Sequence, residues 1–107
     1  MDPNLFDTLR LELRRGSLTL AVLAQLRSEH YGYTLRKALF DLGLDIDEGT
    51  LYPLLRRLEA QALLTSEWRE EGGRNKRFYK LSPDGKQILK QLLAEWKAIN
   101  TSLDRIV

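Results

Sequence analysis

Leu51, Leu54, Leu55 and Leu58 stand at i, i+3, i+4 and i+7 and predict an amphipathic helix over residues 47–62. Asp47 is placed as its N-cap, since a carboxylate can accept from the free amides of a first turn. Gly49, Pro53, Arg56, Arg57 and Ala60 then lie on the opposite face. Pro53 gives up one hydrogen bond, the one its N–H would make to the Gly49 carbonyl, so a slight bend is expected. Upstream, Leu35, Ala38, Leu39 and Leu42 mark the inner stripe of a helix from Gly32 to Leu42, with Gly43 placed to end it in the left-handed conformation. Tyr33, Arg36 and Lys37 point outward from that helix. From Ser17 to about Ser28 the chain is apolar on most sides, which predicts a helix central to the core, capped by Ser17 and separated by Gly16 from what precedes it. Residues 1–15 are ambiguous: Leu5, Phe6 and Leu9 have helical spacing, while Leu9, Leu11 and Leu13 alternate like a strand.

Downstream the period changes. Two short segments with aromatic and alternating residues, within 63–71 and 74–81, flank Gly72-Gly73 and predict a β-hairpin. Ser82-Pro83-Asp84 opens a last helix, with Ser82 as N-cap, Pro83 at the first position and Asp84 near the positive end of the dipole. Leu89, Leu92, Trp96, Ile99, Leu103 and Ile106 follow at spacings of 3, 4, 3, 4 and 3, a heptad seam. A helix of about 24 residues is roughly 36 Å long, too long for a small domain to cover. The near half, Ile88, Leu89 and Leu92, is expected to pack on its own domain, and the rest on a second copy.

A helix with an arginine face followed by a basic hairpin is the order of parts in a winged helix-turn-helix, whose second helix enters the DNA major groove while the wing holds the backbone. The fold class expected is therefore mainly α with a small β-hairpin wing, residues 1–81 forming the reader and 82–107 a dimerisation helix, in one compact unit. Charge supports this by its placement rather than its size. The net charge is only +2, yet residues 49–80 carry seven Lys/Arg against four Glu, and residues 17–48 carry three against five acidic residues. His30 is the only histidine and there is no cysteine, so neither a metal site nor a Ser-His or Cys-His nucleophile can be assembled. His30 is expected in a surface loop. No phosphate-cradling glycine motif is present, and no enzyme reading is supported. No cofactor is called for. No apolar run is long enough to span a membrane, the N-terminus lacks a signal-peptide layout, and the absence of cysteine fits a cytoplasmic location.

Four motifs carry a family resemblance. The run Gly49-Thr50-Leu51-Tyr52-Pro53-Leu54-Leu55-Arg56-Arg57-Leu58-Glu59 resembles the signature of the PadR family of bacterial transcriptional regulators. So do Gly32-Tyr33-x-Leu35, the segment Gly73-Arg74-x-Lys76-Arg77-Phe78-Tyr79-x-Leu81, and Leu93-x-Glu95-Trp96. They occur in the family's order over nearly the whole chain, and the length is similar to the short branch with one C-terminal helix. The resemblance implies a short helix before Gly16 and repression of transcription, relieved in some members by a small, often aromatic compound. The candidate DNA contacts are Tyr33, Arg36, Lys37, Gly49, Thr50, Tyr52, Pro53, Arg56, Arg57, Arg74, Asn75, Lys76 and Arg77. Lys76 and Arg77 fall on opposite faces of one strand, so they are not expected to contribute equally. The candidate dimer residues are Leu89, Leu92, Leu93, Trp96, Ile99, Leu103 and Ile106. Two copies of Trp96 near a two-fold axis leave an apolar gap suited to a planar aromatic guest. Expected partners are thus a pseudo-palindromic DNA operator, a second copy of the chain, and a small aromatic effector. The alternative is a winged helix that contacts protein instead of DNA.

Overall fold

The computed structural model describes residues 1–107. It is mainly helical with one antiparallel hairpin: α1 (Leu5–Gln25), α2 (Gly32–Asp41), α3 (Glu48–Ala60), β1 (Leu64–Glu71), β2 (Arg74–Leu81) and α4 (Pro83–Ile106). The core lies where α1, α2 and α3 meet over the base of the hairpin. Val22, Leu23 and Leu26 come from α1 and its end, Leu35 and Leu39 from α2, and Leu51, Leu54, Leu55 and Leu58 from α3. Leu64, Tyr79, Leu81 and Leu89 close it from the hairpin and α4. Each fully buried leucine contributes about 1.5–3 kcal/mol relative to exposure.

Local chemistry sets the ends of the elements. Asp47 caps α3, its carboxylate accepting from the Thr50 N–H at 2.7 Å. Those hydrogen bonds to Thr50 hold its pKa below the usual carboxylate value. Ser82 caps α4 in the same way, accepting from the Gly85 N–H at 2.9 Å. Gly43, at φ +83°, closes α2 as expected, with Leu44 N–H donating to the Leu39 carbonyl at 2.9 Å. The same turn closes α3, where the left-handed residue is Ala62 at φ +63°. An alanine there carries strain that glycine would not. Gly72 and Gly73, at φ +62° and +78°, form the two-residue hairpin turn that pairs Glu71 with Arg74.

Several expectations fail, each for a local reason. Gly16 does not break α1, which runs unbroken through it. Glycine costs a helix about 1 kcal/mol but removes no hydrogen bond. Ser17 is therefore interior and not a cap; its hydroxyl donates back to the Arg14 carbonyl at 2.8 Å. The alternation of Leu9, Leu11 and Leu13 reflects burial against neither face, since all three are exposed. Leu42 is exposed rather than on the inner stripe, because α2 stops at Asp41 and Ile46 fills the core instead. His30 is half-buried, not free in a loop. Its backbone pairs with Tyr79 in both directions, at 2.8 and 3.1 Å, adding one residue of a third strand beside β2. Its Nδ1 lies 3.0 Å from the Thr34 hydroxyl, and burial lowers its pKa. On α4, Leu89 packs into the core as expected, but Leu93 joins it and Leu92 does not.

Two glycines test this packing. A Cβ added at Gly16 meets nothing within 4 Å, whereas one at Gly85 would lie 2.0 Å from the Leu63 carbonyl oxygen. Gly16→Ala is expected to stabilise the protein by about 0.5–1 kcal/mol, and Gly85→Ala to destabilise it by about 1–3 kcal/mol. Thermal denaturation of both variants checks the pair. A Gly16→Ala variant that melts below wild type would mean the helix is not continuous there.

Candidate nucleic-acid interface

The leucine stripe of α3 fixes what the helix shows to solvent. With Leu51, Leu54, Leu55 and Leu58 buried, Gly49, Thr50, Pro53, Arg56, Arg57 and Ala60 are all exposed. Tyr52 is half-buried, with its ring against Gly32, where any Cβ would come within 2.4 Å of the Tyr52 hydroxyl. Gly32 thus sets how closely α2 approaches α3. Arg56 and Arg57 form no ion pair, and neither do Arg74, Lys37 or Lys80.

Between the wing and α2–α3 lies an open cleft of about 400 Å³. Tyr31, Tyr33, Tyr52, Trp68 and Tyr79 supply its rings, and Arg56, Asn75, Lys76 and Arg77 its polar groups. Tyr31 and Tyr33 stack with centroids 6.5 Å apart. The Lys76 ammonium sits 4.5 Å from the Tyr31 ring centroid and donates to its hydroxyl at 3.4 Å. Lys76 is therefore held along the cleft wall. The Glu71 carboxylate, 3.9 Å away, only partly offsets its charge. Tyr31 and Trp68 were not among the residues singled out by spacing. The excess of aromatic residues around two basic stretches was the available signal.

Two of the expected contact residues are already occupied within the chain. Arg36 donates to the Ile46 carbonyl at 3.2 Å and to Glu48 at 3.0 Å, bracing the turn between α2 and α3. Arg77 donates to Glu59 at 2.6 Å and to Ser66 at 2.9 Å, bridging β2 to α3 and β1. Tyr33, Lys37, Arg74 and Asn75 are exposed as expected. The seam on α4 is exposed beyond the core: Leu92 and Trp96 are each 38% exposed, Ile99 50%, Leu103 48% and Ile106 78%. No helix is long and apolar enough to cross a membrane.

These parts define a winged helix-turn-helix: two helices joined by a short turn, then a hairpin packed against the second. The chain belongs to the PadR-like family of transcriptional regulators, whose model matches residues 19–91. The crystal structure of a PadR family transcriptional regulator from Eggerthella lenta superposes with a TM-score of 0.91 at 41% identity, covering 96% of this chain and 92% of that one. A transcriptional regulator from Clostridium thermocellum is 27% identical, with a TM-score of 0.80 over 90% of this chain and 98% of its own. The transcriptional regulator Rv3488 of Mycobacterium tuberculosis is 39% identical over 79 residues, 73% of this chain and 74% of that protein. The family is one of regulators, not enzymes.

Proposed function

We propose that this chain is a homodimeric repressor that reads a pseudo-palindromic operator with α3 and grips the flanking backbone with the wing. One observation carries the DNA reading. Arg56 and Arg57 stand exposed and unpaired on the outer face of α3, beside a cleft that holds Lys76 and the wing. Arginine is suited to guanine edges and to phosphate, and small neighbours such as Gly49 and Ala60 let the helix approach a groove closely. The remaining contacts divide by position. Gly49, Thr50, Pro53 and Arg56 face the bases; Tyr33, Lys37, Tyr52, Arg57, Arg74, Asn75 and Lys76 face the backbone. Arg36 supports the turn. A cytoplasmic location follows from this role.

Electrophoretic mobility shifts across salt concentrations test this. Arg56→Ala is expected to weaken binding to the selected operator by about 1–3 kcal/mol and binding to random duplex by much less. Equal losses on both would assign Arg56 to phosphate. A wild-type protein that shifts no duplex at low salt would favour a protein-binding winged helix instead.

The homodimer rests on unfinished burial. The Cα radius of gyration is 15.8 Å, against about 13 Å for a compact chain of this length. The excess lies in two arms, residues 1–16 of α1 and 94–107 of α4, where every residue is exposed. Residues 1–81 serve as reader and 82–107 as dimer arm, with Leu92, Trp96, Ile99, Leu103 and Ile106 meeting a second copy. Leu89 and Leu93 anchor the arm to its own core. Deleting residues 97–107 is expected to give a monomer in sedimentation and to abolish cooperative operator binding. A full-length chain that is monomeric at micromolar concentration overturns the dimer.

Repression would be relieved by a planar aromatic effector bound between the two copies of Trp96. Two indoles facing each other across a seam cannot interlock as leucines do, and leave a flat apolar gap. Because α4 continues directly from the wing at Ser82, a guest that moves the arms changes the spacing of the two reading helices, and guest and DNA oppose each other reciprocally. Titration of a panel of planar aromatics is expected to quench fluorescence in Trp68→Phe and not in Trp96→Leu. Quenching that survives Trp96→Leu, or saturation without loss of operator affinity, ends the idea.

A further inference from the structure

Arg77 occupies the sequence position of a wing phosphate contact, yet its hydrogen-bonding capacity is directed inward. Its Nη2 donates to Glu59 Oε1 at 2.6 Å, and its Nε donates to the Ser66 hydroxyl at 2.9 Å. The Ser66 hydroxyl in turn donates to the other Glu59 oxygen. The three side chains close a ring in which each is bonded to both others. The ring joins the last turn of α3, the base of β1 and the middle of β2. The Arg77 guanidinium also lies 5.7 Å from the Trp68 ring centroid and 5.4 Å from that of Tyr79, between two rings on the same face of the hairpin. The side chains of Arg77 and Glu59 are only 35% and 26% exposed.

An exposed single ion pair would contribute little. This one is partly sheltered, engages both Glu59 oxygens and belongs to a network, the conditions under which such pairs matter. To reach a phosphate, Arg77 would have to leave the ring and strand Glu59 facing DNA.

We propose that Glu59, Ser66 and Arg77 form a lock that sets the angle of the wing against the reading helix, and that Glu59 supports DNA binding despite its negative charge. The proposal rests on the DNA-binding reading above. A two-stranded ribbon is marginally stable alone and needs such a brace. Six residues separate Ser66 from the turn, about 20 Å at 3.3 Å per residue, so a rocking of about 10° at the base moves the tip by about 3–4 Å. That displacement is enough to break a phosphate contact made by Arg74 or Lys76.

The lock and a phosphate contact give opposite signs for Glu59. By charge alone, Glu59→Gln should tighten DNA binding. The lock requires it to weaken operator binding about three- to tenfold, with the slope of log affinity against log salt unchanged. Arg77→Ala should weaken it similarly, and the double variant should be no weaker than either single one. Arg77→Lys, which keeps the charge but not the two-pronged geometry, should resemble Arg77→Ala and guards against a variant that fails to fold. In the free protein, backbone amide hydrogen exchange at residues 74–80 should be faster in all of these variants. The lock is overturned if Glu59→Gln binds as well as or better than wild type, if Arg77→Ala alone flattens the salt slope by about one unit, or if wing exchange is unchanged. If wild type binds no duplex, the DNA reading fails on its own, and the exchange measurement still decides whether the lock exists.

Discussion

The constraint on which this structure depends is the two-sidedness of α3. Leu51, Leu54, Leu55 and Leu58 are buried, three of them at 2% exposure or less. Truncating any one to alanine would cost about 2–5 kcal/mol, a large share of what a domain this small has. The helix cannot rotate about its axis without losing that burial, so Arg56 and Arg57 face outward as a consequence of the core. Val22, Leu23 and Leu26 beneath, and Leu35 and Leu39 beside, form the seat. Reading a groove requires a helix held at a fixed rotation, and here the core supplies that rigidity.

The elements that repeat a pattern were legible in the chain. The α3 stripe, the Gly-Gly turn, both N-caps and the 24-residue last helix all stand where spacing and capping chemistry put them. What spacing could not give is pairing between distant residues. Whether Arg77 is free or bound depends on Glu59, eighteen positions away, and whether Arg36 is free depends on Glu48 and the Ile46 carbonyl. His30 reads as a loop residue because its partner strand lies 49 residues downstream at Tyr79. Gly16 misled for a different reason. A glycine in a helix is a modest energetic cost, and neighbours such as Arg14 and Leu18 tolerate it easily. The swap of Leu92 for Leu93 follows from one packing fact: Gly85 seats the first turn of α4 against the Leu63 carbonyl, which fixes the rotation of everything after it.

That rotation ties the reader to the arm. The first turn of α4 is fastened to the link between α3 and β1: the Ser82 N–H and hydroxyl donate to the carbonyls of Leu63 and Ala62, at 3.0 and 2.6 Å. Gly85 packs on that same link. A straight helix beginning at this point transmits a tilt at its far end to the end of α3 with little slack. The unpaired apolar seam along its outer half is therefore mechanically connected to the reading face, whatever covers it.

The distribution of charge shows how the interface can be basic on a chain that is nearly neutral. Residues 49–80 carry seven cations and four glutamates. Glu59 is consumed by Arg77, and Arg69 is held by Glu67 together with Glu29 from the α1–α2 connection. Arg69 further stacks 3.9 Å over the Phe78 ring, on the opposite face of the hairpin from Arg77. These pairings withdraw two arginines and most of the acid from solvent and use them to brace the wing on both faces. Arg56, Arg57, Arg74 and Lys80 are left without ion pairs, and Lys76 has only the 3.9 Å approach of Glu71. Internal pairing thus separates two jobs that composition alone would merge. The bound arginines give the wing its shape, and the unbound cations give it a charge to present. A net charge of +2 conceals this, because it counts a braced arginine and a free one alike.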